Sequence, residues 1–166
     1  NISATQQRIT QGSDRAVINW QSFSIGPQSA VQFVQPGASS VVLNRVTAAN
    51  PSSILGSLSA NGQVFLVNPY GVYFGPTARV DVGGIVATTL NIRDSDFMSG
   101  RYSFWRDPLS PLGAQVVNEG HIAAATGGYV VLAGDYAANR GTIEARGGSV
   151  ILASGNRMTL DMHGDG

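Results

Sequence analysis

Residues 118–155 read NEGHIAAATGGYVVLAGDYAANRGTIEARGGSVILASG, and they repeat themselves. GGYVVLAG at 127–134 returns as GGSVILAS at 147–154, an offset of 20. NEGHIAA at 118–124 returns as NRGTIEA at 139–145, an offset of 21, with Asn118 over Asn139, Gly120 over Gly141 and Ile122 over Ile143. Upstream, ARVDVGGIVATT at 78–89 has the plan of HIAAATGGYVVLA at 121–133: a short alternating strand, a Gly-Gly corner, a second strand. NGQVFLV at 61–67 begins 22 residues before GGIVATT at 83–89. One unit of 20–22 residues therefore recurs from about residue 60 onward. Self-similarity at a fixed short period is the signature of a repeat architecture.

Within the unit the apolar period is two. Val64 and Leu66, Val72 and Phe74, and Val80 and Val82 alternate with smaller or polar residues, as half-buried strands do. Gly, Asn and Pro punctuate them at turn positions. The pattern predicts an all-β solenoid of three short strands per unit, with equivalent residues stacked about 4.8 Å apart. Val64, Leu66, Val130, Leu132, Val150 and Leu152 are expected to point inward, and Asn118 over Asn139 to form an amide ladder at a corner. An antiparallel sandwich also alternates, but its hairpins would not need self-similarity at this period.

The chain reads as one domain of 166 residues, enough for a single core. Residues 1–45 are less regular and include VINWQSFSI and VQFV. They are expected to form an N-terminal cap and the first strands, since a solenoid end exposes unpaired strand edges. Residues 46–90 and 116–166 supply the rungs, with 155–166 as an uncapped last one. Residues 91–115 carry Phe97, Tyr102, Phe104 and Trp105 and break the repeat. They are expected to form a hairpin outside the coil whose aromatics cover its flank.

Charged residues are only 12% of the chain, about half the usual share, and the ten Arg balance the ten acids with no Lys present. Zero net charge gives neither the basic stripe of a nucleic-acid binder nor a polybasic membrane anchor. The absence of cysteine rules out thiol nucleophiles, thiolate metal sites and disulfides. The start at Asn1 rather than Met suggests that a leader, such as a secretory signal, was removed.

Little of the sequence looks catalytic. His121 sits at a strand start, and His163 lies between Asp161 and Asp165 at a polar terminus. Asp94 and Asp96 match the start of a calcium loop, but its later Gly and bidentate Glu are missing. Glu119 and Arg140 share the 21-residue offset, which suits a cross-rung pair. Acids rarely recur at the rung spacing, unlike in solenoid enzymes acting on polysaccharides. The expectation is no enzyme, no cofactor and no metal.

The run RVTAANPSSILGSLSANGQVFLVNPYGVYFGPTARVDVGGIVATTL at 45–90, the downstream repeats, INWQSFSIG at 18–26 and VVLNRV at 41–46 closely resemble the secretion domain of two-partner-secretion exoproteins. These are the filamentous-haemagglutinin-like and high-molecular-weight-adhesin-like proteins. The family's Asn-Pro-Asn-Gly-Ile signature stands here as Asn68, Pro69, Tyr70, Gly71 and Val72, departing at the third and fifth positions. Its Asn-Pro-Asn-Leu signature is absent, VQPGA standing at 34–38. The resemblance implies a right-handed parallel β-helix with an N-terminal cap and extra-helical hairpins. It implies a secretion-targeting, fold-nucleating module of a large adhesin-like exoprotein. A module of this kind crosses the periplasm of a Gram-negative bacterium and is recognised by an outer-membrane β-barrel transporter with periplasmic POTRA domains. It then folds as a monomer at the cell surface. Host-receptor or glycan contacts are expected in the passenger beyond it. A second reading makes the fragment itself a carbohydrate- or receptor-binding solenoid, acting through the aromatics of 97–105.

Overall fold

The computed structural model describes residues 6–161. The described residues wind through six turns. The first holds β1 (Gln6–Thr10) and β2 (Arg15–Trp20); the second holds β3 (Ala30–Val34), β4 (Val41–Val46) and β5 (Ser52–Ile54). The third holds β6 (Ser57–Ala60), β7 (Gln63–Val67) and β8 (Val72–Phe74). The fourth begins with β9 (Arg79–Val82) and β10 (Gly84–Thr88), then leaves the coil for β11 (Asn91–Ile92), helix α1 (Asp94–Met98) and β12 (Tyr102–Trp105), and returns as β13 (Gln115–Asn118). The fifth holds β14 (His121–Ala124), β15 (Tyr129–Gly134) and β16 (Tyr136–Asn139). The sixth holds β17 (Thr142–Glu144) and β18 (Ser149–Ser154), after which β19 (Arg157–Leu160) leaves the coil.

Each of the second to fifth turns lays one strand on each of three faces, and the first and sixth lay strands on two. Two faces are six-stranded, β1-β3-β6-β9-β14-β17 and β2-β4-β7-β10-β15-β18, and the third is β5-β8-β13-β16, joined by a bridge from Ile25 to Ile54. All pairings on these faces are parallel. The molecule is a parallel β-helix, as its repeats require. The stacking begins at residue 6, well upstream of the visible repeat. Residues 6–34 are themselves stacked strands, and residues 1–5 lie outside the described residues. The repeat is hard to see there because buried Gln11 and Gln35 replace the Gly-Gly corner: the Gln35 amide donates to Gln11 Oε1 at 3.2 Å and accepts from Gly62 N at 2.8 Å.

Inward side chains make one continuous apolar core. Val42, Val64, Ile85 and Val130 stack in register, as do Leu66, Ala87 and Leu132. Val150 and Leu152 stand in the same two columns but remain 46% and 43% exposed, because no further turn covers them among the described residues. The Gly-Gly corners stack so closely that a Cβ on Gly128 would run into the Gly83 carbonyl oxygen, and one on Gly148 into that of Gly128. Glycine is required where backbones approach this closely.

The face β2-β4-β7-β10-β15-β18 is apolar on its outer side too. Val41, Leu43, Phe65, Val67, Val86 and Val131 point outward and are buried, hence the unbroken apolar runs VVL, VFLV and VVLA, typical of a sheet covered on both sides. The cover is the excursion at 91–105, whose Phe97, Tyr102 and Phe104 pack on Phe65 at ring distances of 5.6, 4.9 and 6.1 Å. It forms an antiparallel sheet β11-β12-β19. Within the stretch expected to form an uncapped rung, 155–166, residues 157–160 leave the coil, and residues 162–166 lie outside the described residues. Met158 and Leu160 turn to the same outer apolar layer, and residues 157–160 close the extra-helical sheet instead.

Candidate functional site

The corner at 68–72 is built from turn chemistry. Gly71 N donates to Asn68 O at 3.0 Å, closing a four-residue turn, and Tyr70 N donates to Asn68 Oδ1 at 2.9 Å. Pro69 presets the second position of such a turn. Gly71 has φ +122°, a conformation that favours glycine, and a Cβ there would stand 3.1 Å from Gln115 O. Asn68 is fully buried. Its Nδ2 donates to Asn50 O at 2.9 Å and Ser52 Oγ at 3.0 Å, while its backbone N donates to Thr88 O at 3.0 Å. One asparagine thus joins the second, third and fourth turns. Val72 lies in the core and Tyr70 faces outward.

One turn on, Asn118 is buried, and its Nδ2 donates to Asn139 Oδ1 at 2.9 Å. The two Oδ1 atoms accept from Gly120 N at 3.0 Å and Gly141 N at 3.1 Å. This is a cross-rung ladder in which each amide also holds its own corner. Beside it, Tyr73 donates to Glu119 Oε1 at 2.6 Å, and Arg140 stands 3.7 Å from Glu119 Oε2. The bond to the carboxylate pushes the Tyr73 hydroxyl above its ordinary pKa, with desolvation and the Glu119 charge adding to the effect. The Arg140 pair is exposed and contributes little.

A shallow groove of about 320 Å³ runs beside the corner, lined among others by Pro51, Tyr70, Tyr73 and Gln115. Of the aromatics at 97–105, Phe97, Tyr102 and Phe104 are buried against the sheet, and Trp105 is half-buried. Three of the four rings invoked by the carbohydrate- or receptor-binding reading are thus taken up as cover for the outer apolar face of the sheet. Asp94 instead accepts from Arg45 at 2.6 Å and Asp96 from Arg101 at 3.3 Å. His121 stands at a half-exposed corner, 3.7 Å from Glu144; His163 and Asp165 lie outside the described residues.

The residues that hold the excursion in place are not apparent from sequence. Arg15 donates to Phe97 O at 2.9 Å and Tyr102 OH at 2.7 Å, and lies over both rings. Arg45 donates to Asn91 Oδ1 at 3.0 Å and to Ile92 O. Asn44, buried in the core, accepts from Trp20 Nε1 at 2.9 Å and donates to Phe65 O at 3.2 Å. The only sequence signal for this clamp was the doubly apolar run of the strands, which required an outer cover without naming its anchors.

A parallel β-helix with amide-locked corners and an extra-helical sheet sealed onto one flank is the architecture of an exoprotein's secretion module. The chain belongs to the TPS secretion domain family, whose model matches residues 2–164. It is 34% identical to the crystal structure of the HMW1 secretion domain from Haemophilus influenzae, with a TM-score of 0.90 over 97% of this chain and 43% of that one. It is 39% identical to a heme/hemopexin-binding protein of Haemophilus influenzae (strain ATCC 51907 / DSM 11121 / KW20 / Rd), over 98% of this chain and 19% of that protein. A second Haemophilus influenzae heme/hemopexin-binding protein is 42% identical over 71% of this chain and 12% of its own length. The chain thus spans about a fifth or less of these two relatives.

Proposed function

We propose that this chain directs the export of a larger exoprotein and nucleates its folding, and that an outer-membrane β-barrel transporter recognises it through periplasmic POTRA domains. The observation that carries the reading is the end-to-end likeness to secretion domains, residues 2–164 for the family and 97% of the chain for the HMW1 domain. The corner at 68–72 supports a fold-nucleating role, because Asn68 joins three successive turns through its own hydrogen bonds. A solenoid grows by nearest-neighbour stacking, so a locked set of turns templates each later one. On this reading the module is not an enzyme, reaches the cell surface by way of the periplasm, and works as a monomer. Binding of heme or hemopexin, for which the relatives are named, is assigned to the passenger beyond this chain.

The test is export of the complete exoprotein, measured in cells with and without the transporter and with residues 6–161 present or deleted. Export is expected only when both are present. Secretion that continues without either one overturns the reading.

A further inference from the structure

The extra-helical sheet has an outer face of its own. Tyr102, Phe104, Met158 and Leu160 turn inward to the apolar layer, so Ser103, Trp105, Arg157 and Thr159 turn outward, by the two-residue alternation of strands. The register sets Ser103 across from Thr159 and Trp105 across from Arg157. These four, with Arg93 just after β11 and Asn156 just before β19, line a groove of about 690 Å³. That volume lies within the range of small-molecule sites. Charge in the groove is unbalanced. Arg106 at its edge is spent: its guanidinium donates to Ser110 O and Pro111 O, each at 2.9 Å, and lies 3.3 Å from Asp135 Oδ1. Asp96, the one acid of the lining, accepts from Arg101 at 3.3 Å. Arg93 and Arg157 are exposed, and their side chains make no hydrogen bond or ion pair among the described residues. The Trp105 ring lines the groove, and its Nε1 has no acceptor among the described residues, whereas Trp20 Nε1 is tied to Asn44.

We propose that this groove binds an acidic saccharide, Arg93 and Arg157 holding its carboxylates and Trp105 supporting a sugar ring. A guanidinium grips a carboxylate through two parallel hydrogen bonds. A pyranose lays its C–H face on an aromatic ring while its hydroxyls reach polar side chains, here Ser103, Thr159 and Asn156. Trp105 stands on the central strand of β11-β12-β19, with Arg93 on the β11 side and Arg157 on the β19 side. The two outer strands lie about 10 Å apart, so the free charges flank the ring and suit a chain that carries a carboxylate on successive units. A neutral glycan leaves both guanidiniums unused. Nucleic acid and anionic lipid draw on longer basic stripes than two arginines. The groove exists only once β19 has closed the extra-helical sheet, so it serves the folded domain and stands or falls independently of the transporter reading.

The test titrates this chain with a tetramer of oligogalacturonate. Trp20→Phe leaves Trp105 as the sole indole, so its fluorescence reports on the groove, and calorimetry on the wild-type chain repeats the measurement without that substitution. A saturable response is expected, with none from maltotetraose. The double variant Arg93→Gln/Arg157→Gln is expected to bind at least tenfold more weakly, and Arg93→Lys/Arg157→Lys, which keeps the charge and loses the fork, to fall between. Both arginines are exposed, so circular dichroism and the thermal midpoint are expected to stay unchanged. The absence of any response to oligogalacturonate overturns the proposal, as does a response that the Gln double variant retains in full. Tighter binding of inorganic sulfate, a single-stranded oligonucleotide or phosphatidylglycerol vesicles, lost in the same variant, reassigns the arginines and also overturns it.

Discussion

Arg15 in the first turn donates a 2.7 Å hydrogen bond to the Tyr102 hydroxyl, 87 residues away in the extra-helical sheet. Strand β12, which carries Tyr102, pairs in turn with β19, whose Leu160 lies opposite Tyr102. The first turn and the segment after the sixth are therefore joined through one strand. A solenoid without such a link is quasi-one-dimensional, each turn feeling only its neighbours. Here a single extra-helical strand touches both the first turn and the segment after the sixth.

Arg15→Met is expected to cost about 2 kcal/mol, the worth of charge-assisted hydrogen bonds lost in a part-buried setting. It should also split the unfolding transition. Trp20 reports on the first turn and Trp105 on the extra-helical sheet, so urea curves from single-tryptophan forms check it. The curves should coincide in wild type and separate in the variant; coincidence in both would show that the link does not govern cooperativity.

The 68–72 corner gives a second expectation. Asn68→Ala removes two donated bonds and one accepted bond from a buried position, at a cost of about 2 kcal/mol or more. Gly71→Val forces a β-branched residue to φ +122° with Gln115 O in its way, at a cost of about 1 kcal/mol or more. Export of the exoprotein should fall for both, in step with the thermal midpoint. Normal secretion by both variants would remove the corner from the export mechanism.

Depth in the stack sets the third. Leu132 is fully buried, whereas Leu152, in register one turn below, is 43% exposed. Leu132→Asp buries an unpaired carboxylate and is expected to abolish folding. Leu152→Asp keeps access to water and should leave a folded domain with a lower midpoint. Circular dichroism of the two proteins side by side checks the contrast, and equal damage would place the inward columns in the wrong register.

Alkaline pH supplies the fourth. Burial pushes the Tyr129 hydroxyl far above its ordinary value of 10.0. The folded state therefore holds its proton where the unfolded chain has lost it. That contribution to stability is complete below pH 10 and drains away as pH rises from there toward the folded-state value. The slope is about 1.4 kcal/mol per pH unit for one such group. Tyr129→Phe should flatten the decline above pH 10 in chemical denaturation, although Gln63, which accepts from this hydroxyl, loses its donor. An unchanged slope would mean that other groups govern alkaline unfolding.

Sequence periodicity carried the coil well from residue 60 onward, because there the corners are Gly-Gly or Asn-x-Gly and the strands keep a fixed spacing. It faded earlier in the chain, where Gln11 and Gln35 perform the corner's work with longer side chains and no glycine pair marks the place. The aromatic cover at 97–105 could be read as outside the coil, since its rings interrupt the repeat. Its anchoring could not, because Arg15 and Arg45 lie 46 to 87 residues from their partners and look like ordinary surface arginines. The fate of β19 was hidden for a related reason: Met158 and Leu160 alternate as any rung would, and only the apolar layer waiting on the outer face diverts them.

The six stacked turns also have a mechanical meaning for a chain that travels lengthwise. The 156 residues described, fully extended, would reach roughly 500 Å. Wound into six layers about 4.8 Å apart, they occupy a column only about 25 Å tall. On the proposed export route, a chain that coils on the far side of a membrane shortens by about twentyfold, turn by turn. Each wound turn would then hold its gain, so that on the proposed route the packing of valines and leucines favours onward movement with no other fuel.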